Sequence, residues 1–340
     1  MPIPETIDAL VASPEYRAAL SLPETPAEEY LPLAQGEYNE NYLFKHPVTG
    51  QDLVLRVNHG SQMHLDHQIE YEANALRLLE SSGRTPRVLY VDGSCRYLDR
   101  GILVMEFLPG VPLDYEDEDD LREAADILAD IHSVTVPEEN GLVAPEQSLK
   151  AILDECEAMV AVYLDSPLGD PSTKQALREL LDLAWKKADD LNGLPFPRCV
   201  INTELNNTNF LMNGAGKGYL IDWEKPLYGD PAQDLGHFLA PTTTFWKTDI
   251  IYDDTQIDAF LEQYIAAVKA NGRPDLAEGL PERTKVFLPV TCLRGVTWCA
   301  MAWVEYRDPE RELVNESTRR KLDQYLEPAF LERIREYVKR

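Results

Sequence analysis

The chain has 340 residues, 44% hydrophobic and 27% charged, a balance that excludes global disorder and leads to an ordinary globular protein of two lobes. Its formal net charge of -27 excludes a nucleic-acid partner held by a basic stripe, and docking on an anionic membrane surface. Five cysteines without CxxC or paired His spacing argue against a disulfide framework or structural zinc and fit a reducing cytoplasm.

The first segment, "MPIPETIDALVASPEYRAAL", lacks the basic and apolar parts of a signal peptide. Its apolar spacing predicts one helix from Glu5 to Leu20, followed by a Pro-rich linker to about residue 30. No stretch approaches the ~20 apolar residues of a membrane span, so a cytoplasmic protein is expected. "YLPLAQGEYNENYLFKHPVTGQDLVLRVN" reads as three strands with a hairpin around Pro47 to Gly50. "DHQIEYEANALRLLESSG" reads as a helix closed by Gly83, and "RVLYVDGSCRYLDRGILVMEFLPG" as two further strands.

Beyond Pro109 and Gly110 the pattern turns helical. Helices are expected at about Leu121 to His132, Gln147 to Tyr163, Thr173 to Leu191, Thr255 to Ala270, Thr284 to Tyr306 and Ser317 to Val338. The acidic run from Tyr115 reads as a solvated helix start facing the macrodipole. Between the helices lie short strands at Val200–Ile201, Phe210–Met212 and Tyr219–Ile221, around an Asn-rich loop. The expected fold is α+β and bilobal, with an N-terminal helix and linker (1–30), a small β-rich N-lobe (31–108) and a larger, mainly helical C-lobe (109–340).

Chemistry concentrates in "NTELNNTN", then "LIDWE", then "YGDPAQDL". A carboxylate at Glu204, an amide at Asn209 and a carboxylate at Asp222 are the hard-oxygen set of a Mg²⁺-nucleotide site, since Mg²⁺ takes only one or two protein ligands. In this order the motifs resemble those of the aminoglycoside phosphotransferase and choline kinase group, whose fold is protein-kinase-like. That family reads HGDxxxxN, an apolar run, IDWE or IDFE, and GDPxxDL. The resemblance runs from about Leu31 to Tyr306.

It implies ATP and Mg²⁺ as cofactors and a role for each matching residue. Glu204 takes the position of the catalytic Asp, one methylene longer, and Asn202 that of the loop His. Asn209 and Asp222 fall on the metal-ligand positions, and Asp234 on the buried Asp that braces the loop. In "AQGEYNENYLF", Gly36 and Asn39 match the glycine loop. Arg56 stands where protein kinases carry the phosphate-holding lysine, with Glu72 as its helix partner and Glu70 as a competing choice. "LVMEFLPG" places backbone groups near Glu106 and Leu108 against the adenine edge, and His132 ends a helix as a packing or bracing residue.

Three activities fit this set. The first is transfer of the γ-phosphate of ATP to a hydroxyl of a small molecule, such as an aminoglycoside, an amino alcohol or a sugar-like compound. The others are a nucleotide-binding pseudokinase with little turnover and adenylyl transfer. Trp246, Trp303, Glu305 and Tyr306 are candidates for the acceptor side, where aromatic faces and a carboxylate suit a cationic amine. At helical spacing Trp298 and Trp303 also suit an ordinary core.

Overall fold

The computed structural model describes residues 7–35, 38–61, 63–188, 196–214, 216–307 and 316–339. In chain order the elements begin with α1 (Asp8–Val11), α2 (Pro14–Ala19), β1 (Leu31–Gln35), β2 (Asn39–Lys45), β3 (Asp52–Asn58), α3 (Gln68–Leu79), β4 (Val88–Asp92), β5 (Gly101–Glu106) and β6 (Val111–Pro112). There follow α4 (Glu118–His132), α5 (Ser148–Asp165), α6 (Pro171–Ala188), β7 (Cys199–Ile201), β8 (Phe210–Met212), β9 (Tyr219–Leu220) and β10 (Leu227–Gly229). The remainder is helical: α7 (Pro231–Leu239), α8 (Pro241–Lys247), α9 (Asp254–Ala270), α10 (Leu280–Glu305), α11 (Glu316–Tyr325) and α12 (Pro328–Lys339).

The chain forms two compact units. One comprises Met1–Pro112, Val134–Val143 and Thr208–Pro226, the other Leu113–Ser133, Ala144–Asn207 and Leu227–Arg340. The first unit is built on an antiparallel sheet in the order β1-β2-β3-β5-β4. Its central hairpin closes through His46 N–H to Gln51 O and Gly50 N–H to His46 O, both 2.8 Å. Gly50 sits at φ +73° there, a conformation that favours glycine. The later segment 208–226 adds β8 and β9, and β8 pairs with both β6 and β9 in a small second sheet. Residues 134–143 are tied to α3 by Asn74 donating to Asn140 O and Val143 N–H donating to the Tyr71 hydroxyl.

The N-terminal helix departs from expectation: over the described residues it is two short helices. Pro14 at the start of α2 has no N–H to continue α1, and the Ser13 hydroxyl accepts from Tyr16 N–H as a cap. These helices share a core with the sheet, where Ile7, Leu10, Val11 and Tyr16 are buried with Phe44, Leu53, Leu55 and Val104. Below them Arg17 donates to Glu28 Oε1 at 2.8 Å and Oε2 at 3.2 Å, with both side chains buried.

The second unit is helical, with β7 and β10 as its small ladder. α4 opens on Asp117, whose carboxylate accepts from Asp119 and Asp120 N–H. α9 opens on a reciprocal Asp253–Gln256 cap. α7 and α8 were not anticipated. Each starts at a proline in the first turn after an extended residue, and their short span hides the helical period.

The helix expected from Ser317 to Val338 is broken into α11 and α12. Turns at Leu326 and Glu327 hand over to Pro328, which cannot donate into the preceding turn. α10 corrects the hydropathy expectation: it is long and apolar enough to cross a membrane by length and composition, yet 72% of that window is buried inside the protein. Core demand explains this apolar run, because α10 packs against α5, α6, α7 and α8.

Candidate functional site

In the first unit, cross-strand register puts Asn41 on β2 opposite Arg56 on β3. Arg56 Nε donates to Asn41 Oδ1 at 3.0 Å, and its Nη1 pairs with Glu72 from α3. The same nitrogen lies 3.6 Å from Asp222 Oδ1. Burial works against the Arg56 charge, but Glu72, Asp222 and Glu224 together outweigh it and hold the guanidinium pKa above its ordinary value. Burial lifts the Glu72 carboxyl, with Arg56 opposing. Glu70, the competing acid, points elsewhere: its carboxylate lies so close to Gly93 that a Cβ there would overlap it.

Asp222 adopts φ +65° at the end of β9. This left-handed turn follows Ile221, whose N–H donates to Asn209 O at 2.9 Å and so joins the two expected metal-ligand segments. Trp223 is buried and donates to Leu220 O, which anchors the turn. One carboxylate oxygen of Asp222 and one of Glu224 lie within 4.8 Å of each other. Paired carboxylates beside an amide are the donor chemistry a hard divalent cation takes. Glu224, the last residue of "IDWE", is a site acid to which the motif alone assigns no role. The Asn39 amide donates to Glu224 Oε2 at 2.6 Å and accepts from Asn58, so β2 is fastened to the turn after β9.

Gly36 lies outside the described residues. At the expected adenine edge the Glu106 N–H is used by Arg87 O and the Phe107 N–H by Asp52 O. Among the described residues the Leu108 N–H makes no backbone hydrogen bond outside the strands, which leaves a donor beyond the end of β5.

In the second unit β7 delivers Asn202, Thr203 and Glu204. Asp234, fully buried on α7, accepts from Asn202 N–H and Thr203 N–H, both at 2.8 Å, one on each oxygen. His132 Nε2 lies 3.2 Å from the same carboxylate, and its Nδ1 is 2.8 Å from the Tyr264 hydroxyl. The Asn202 amide oxygen accepts from Glu204 N–H at 3.0 Å, and His237 Nδ1 accepts from Leu205 N–H at 3.1 Å. The loop is thus held by its backbone, as a brace would hold it.

Thr203 adopts φ +70°. It stands where the resembled motif has glycine, and the left-handed backbone explains that preference. Glu204 keeps 23% of its side chain exposed, and Arg294 from α10 comes within 3.9 Å of its Oε1. Neither Arg294 nor its partner Glu155 was singled out from the sequence, since both are far from the motifs in the chain.

The aromatic candidates cluster. Trp246 and Trp303 pack with Trp298, Tyr306, Phe245 and Tyr325 around Cys299 and Ala302. Trp246 meets Trp298 edge-on, and Trp303 donates to Asp323 on α11 at 2.8 Å. The Arg307 guanidinium lies 3.4 Å from the Trp303 ring centroid, so the chain's own cation covers one of its faces. Glu305 is exposed at the end of α10.

The family model described as APH, the phosphotransferase enzyme family, matches residues 29–278. No curated protein matches the chain in sequence. Among solved structures, choline kinase LicA from Streptococcus pneumoniae is 17% identical, with 96% of each chain covered and a TM-score of 0.61. Spectinomycin phosphotransferase APH(9)-Ia, solved with ADP and spectinomycin, is 14% identical over 92% of this chain and 93% of its own, with a TM-score of 0.60. Plasmodium vivax ethanolamine kinase is 13% identical over 92% and 85%, with a TM-score of 0.61. The α+β, kinase-like fold expected from the motifs is the fold of these proteins.

Proposed function

Because the chain belongs to the phosphotransferase enzyme family, we propose that it transfers the γ-phosphate of ATP to a hydroxyl of a small molecule in the cytoplasm. The observation that carries this reading is the Arg56–Glu72–Asp222 constellation. It unites a cation for phosphate oxygens, the acid that orients it and a carboxylate for a metal.

Asp222 and Asn209 would hold Mg²⁺, with Glu224 beside them, and the ion would neutralise charge on the phosphates. Arg56 would bind α- and β-phosphate oxygens, restrained on two sides by Asn41 and Glu72. Glu204 would accept the acceptor's hydroxyl proton as its oxygen attacks phosphorus, and ADP would leave with the bridging electron pair. Asp234 and Asn202 would keep the Glu204 backbone in place. The acceptor would meet the second unit, and an aminoglycoside, amino alcohol or sugar-like alcohol is the class that this family relationship supports.

Calorimetry of ATP with and without Mg²⁺, on the wild type and Asp222→Ala, tests the nucleotide half. We expect Mg²⁺-dependent binding that weakens at least tenfold in the variant, and ADP with a phosphorylated product from an amino-alcohol or aminoglycoside panel. AMP or an adenylylated product would replace this reading with adenylyl transfer. Absence of ATP binding would sink the nucleotide-site assignment.

A further inference from the structure

Glu204 differs from the family's Asp by a methylene, and a longer carboxylate must be steadied if it is to work as a base. On α5, Glu155 grips Arg294 in a two-bond fork: Nε to Oε2 at 2.9 Å and Nη2 to Oε1 at 3.2 Å. The same Nη2 reaches Glu204 Oε1 at 3.9 Å. Burial opposes the Arg294 charge, but Glu155 and Glu204 more than compensate, so the guanidinium pKa is raised.

Position is enforced as well as charge. Leu293 and Val296, flanking Arg294 on α10, are fully buried. Gly295 faces Thr242 so closely that a Cβ would sit 2.7 Å from the Thr242 Cβ, which prevents α10 from sliding there. Arg294 therefore meets Glu204 from a fixed point in the core, on one carboxylate oxygen.

We propose that Arg294, locked by Glu155, is a positioning residue for Glu204: it anchors Oε1 and aims the other oxygen at the acceptor hydroxyl, so that Glu serves where relatives use Asp. This rests on Glu204 being the base of the proposed transferase. It follows that Glu204→Asp, though it restores the family residue, draws the carboxylate away from Arg294 and lowers turnover.

The test uses Arg294→Gln, Arg294→Lys, Glu155→Gln and Glu204→Asp in the full chain. ATP binding by calorimetry comes first, and its absence in the wild type would remove the transferase reading. ADP release is then followed with the phosphorylated acceptor, or with water as the acceptor. The expected result for Arg294→Gln and Glu204→Asp is a fall in kcat of about 10- to 100-fold with the KM for ATP unchanged. Arg294→Lys, which keeps the charge, should recover part of that loss, and Glu155→Gln should fall between. Unchanged kcat in Arg294→Gln, or a faster Glu204→Asp, would overturn the proposal.

A melting cycle of Arg294→Gln and Glu204→Gln, singly and together, reads the contact without turnover. Shifts in Tm that do not add support the contact; additive shifts would overturn it. Should Arg294→Gln fail to fold, Arg294→Lys with Glu204→Gln closes the same cycle.

Discussion

Thr203 carries a β-branched side chain at φ +70°, where an L-residue with a Cβ costs roughly 1–2 kcal/mol. The backbone stays there because Asp234 takes the N–H groups of Asn202 and Thr203 together, and breaking that fork would strand buried donors. Glycine removes the Cβ clash but adds chain entropy to the unfolded state, roughly 0.5–1 kcal/mol. Thr203→Gly is therefore expected to raise stability by up to ~1 kcal/mol, read from the urea midpoint at constant m-value. A lower midpoint would mean that the Thr203 side chain makes contacts worth more than the strain. Asp222, also at positive φ, gains no such relief by design, because its carboxylate is the group the turn presents.

At the scale of elements, α1 and α2 are held against the sheet by apolar burial, and α2 is tied to the segment before β1 by the buried Arg17–Glu28 ion pair. Burial raises the Glu28 carboxyl, but Arg17 and the Ala27 N–H outweigh it, so its pKa lies below the ordinary glutamate value. A depressed carboxylate contributes stability that is fully present above its unfolded pKa and is lost as pH falls through the folded value. Acid unfolding followed by tyrosine fluorescence is expected to show this: Glu28→Gln should be less stable near neutrality and its loss of stability below about pH 4.5 shallower than the wild type's. Parallel acid limbs in the two proteins would remove Glu28 from the acid response. The α11–α12 break follows the same logic of local chemistry, since a Pro at position 328 ends any helix that arrives from Tyr325.

Across the whole molecule, four of five cysteines lie in the core and one is exposed. Burial pushes the Cys156 and Cys292 thiols up to about 12, and lifts Cys199 and Cys299 well above the ordinary thiol value. Because the thiolate is the nucleophile, these groups are shielded both by access and by protonation. Alkylation at pH 8 followed by intact mass should give one fast adduct at Cys95 and four more only on the timescale of unfolding. Two or more fast adducts would show that the helical unit opens locally well below global unfolding. If the nucleotide reading holds, ATP with Mg²⁺ should slow the late adducts by ligand linkage.

Much of the candidate site was legible because its chemistry is local in the chain. "LIDWE" and "YGDPAQDL" each hold a strand end or a buried acid within a few residues, and their order points to the family, although the left-handed turn at Asp222 and the short helix α7 leave no period to read. The central hairpin and the acidic helix start after Tyr115 were readable for the same reason. Partners that depend on how distant elements pack were not readable. The sequence favoured Glu72 with Glu70 as a competitor, and the way α3 faces the sheet sends Glu72 to Arg56 and Glu70 to Gly93. Arg294 carries no motif at all; packing of α10 against α5 and α8 brings it to Glu204. Local backbone preference acts over a few residues and leaves a pattern, whereas side-chain pairing across the fold is decided by the burial of apolar faces, which many sequences satisfy in many registers.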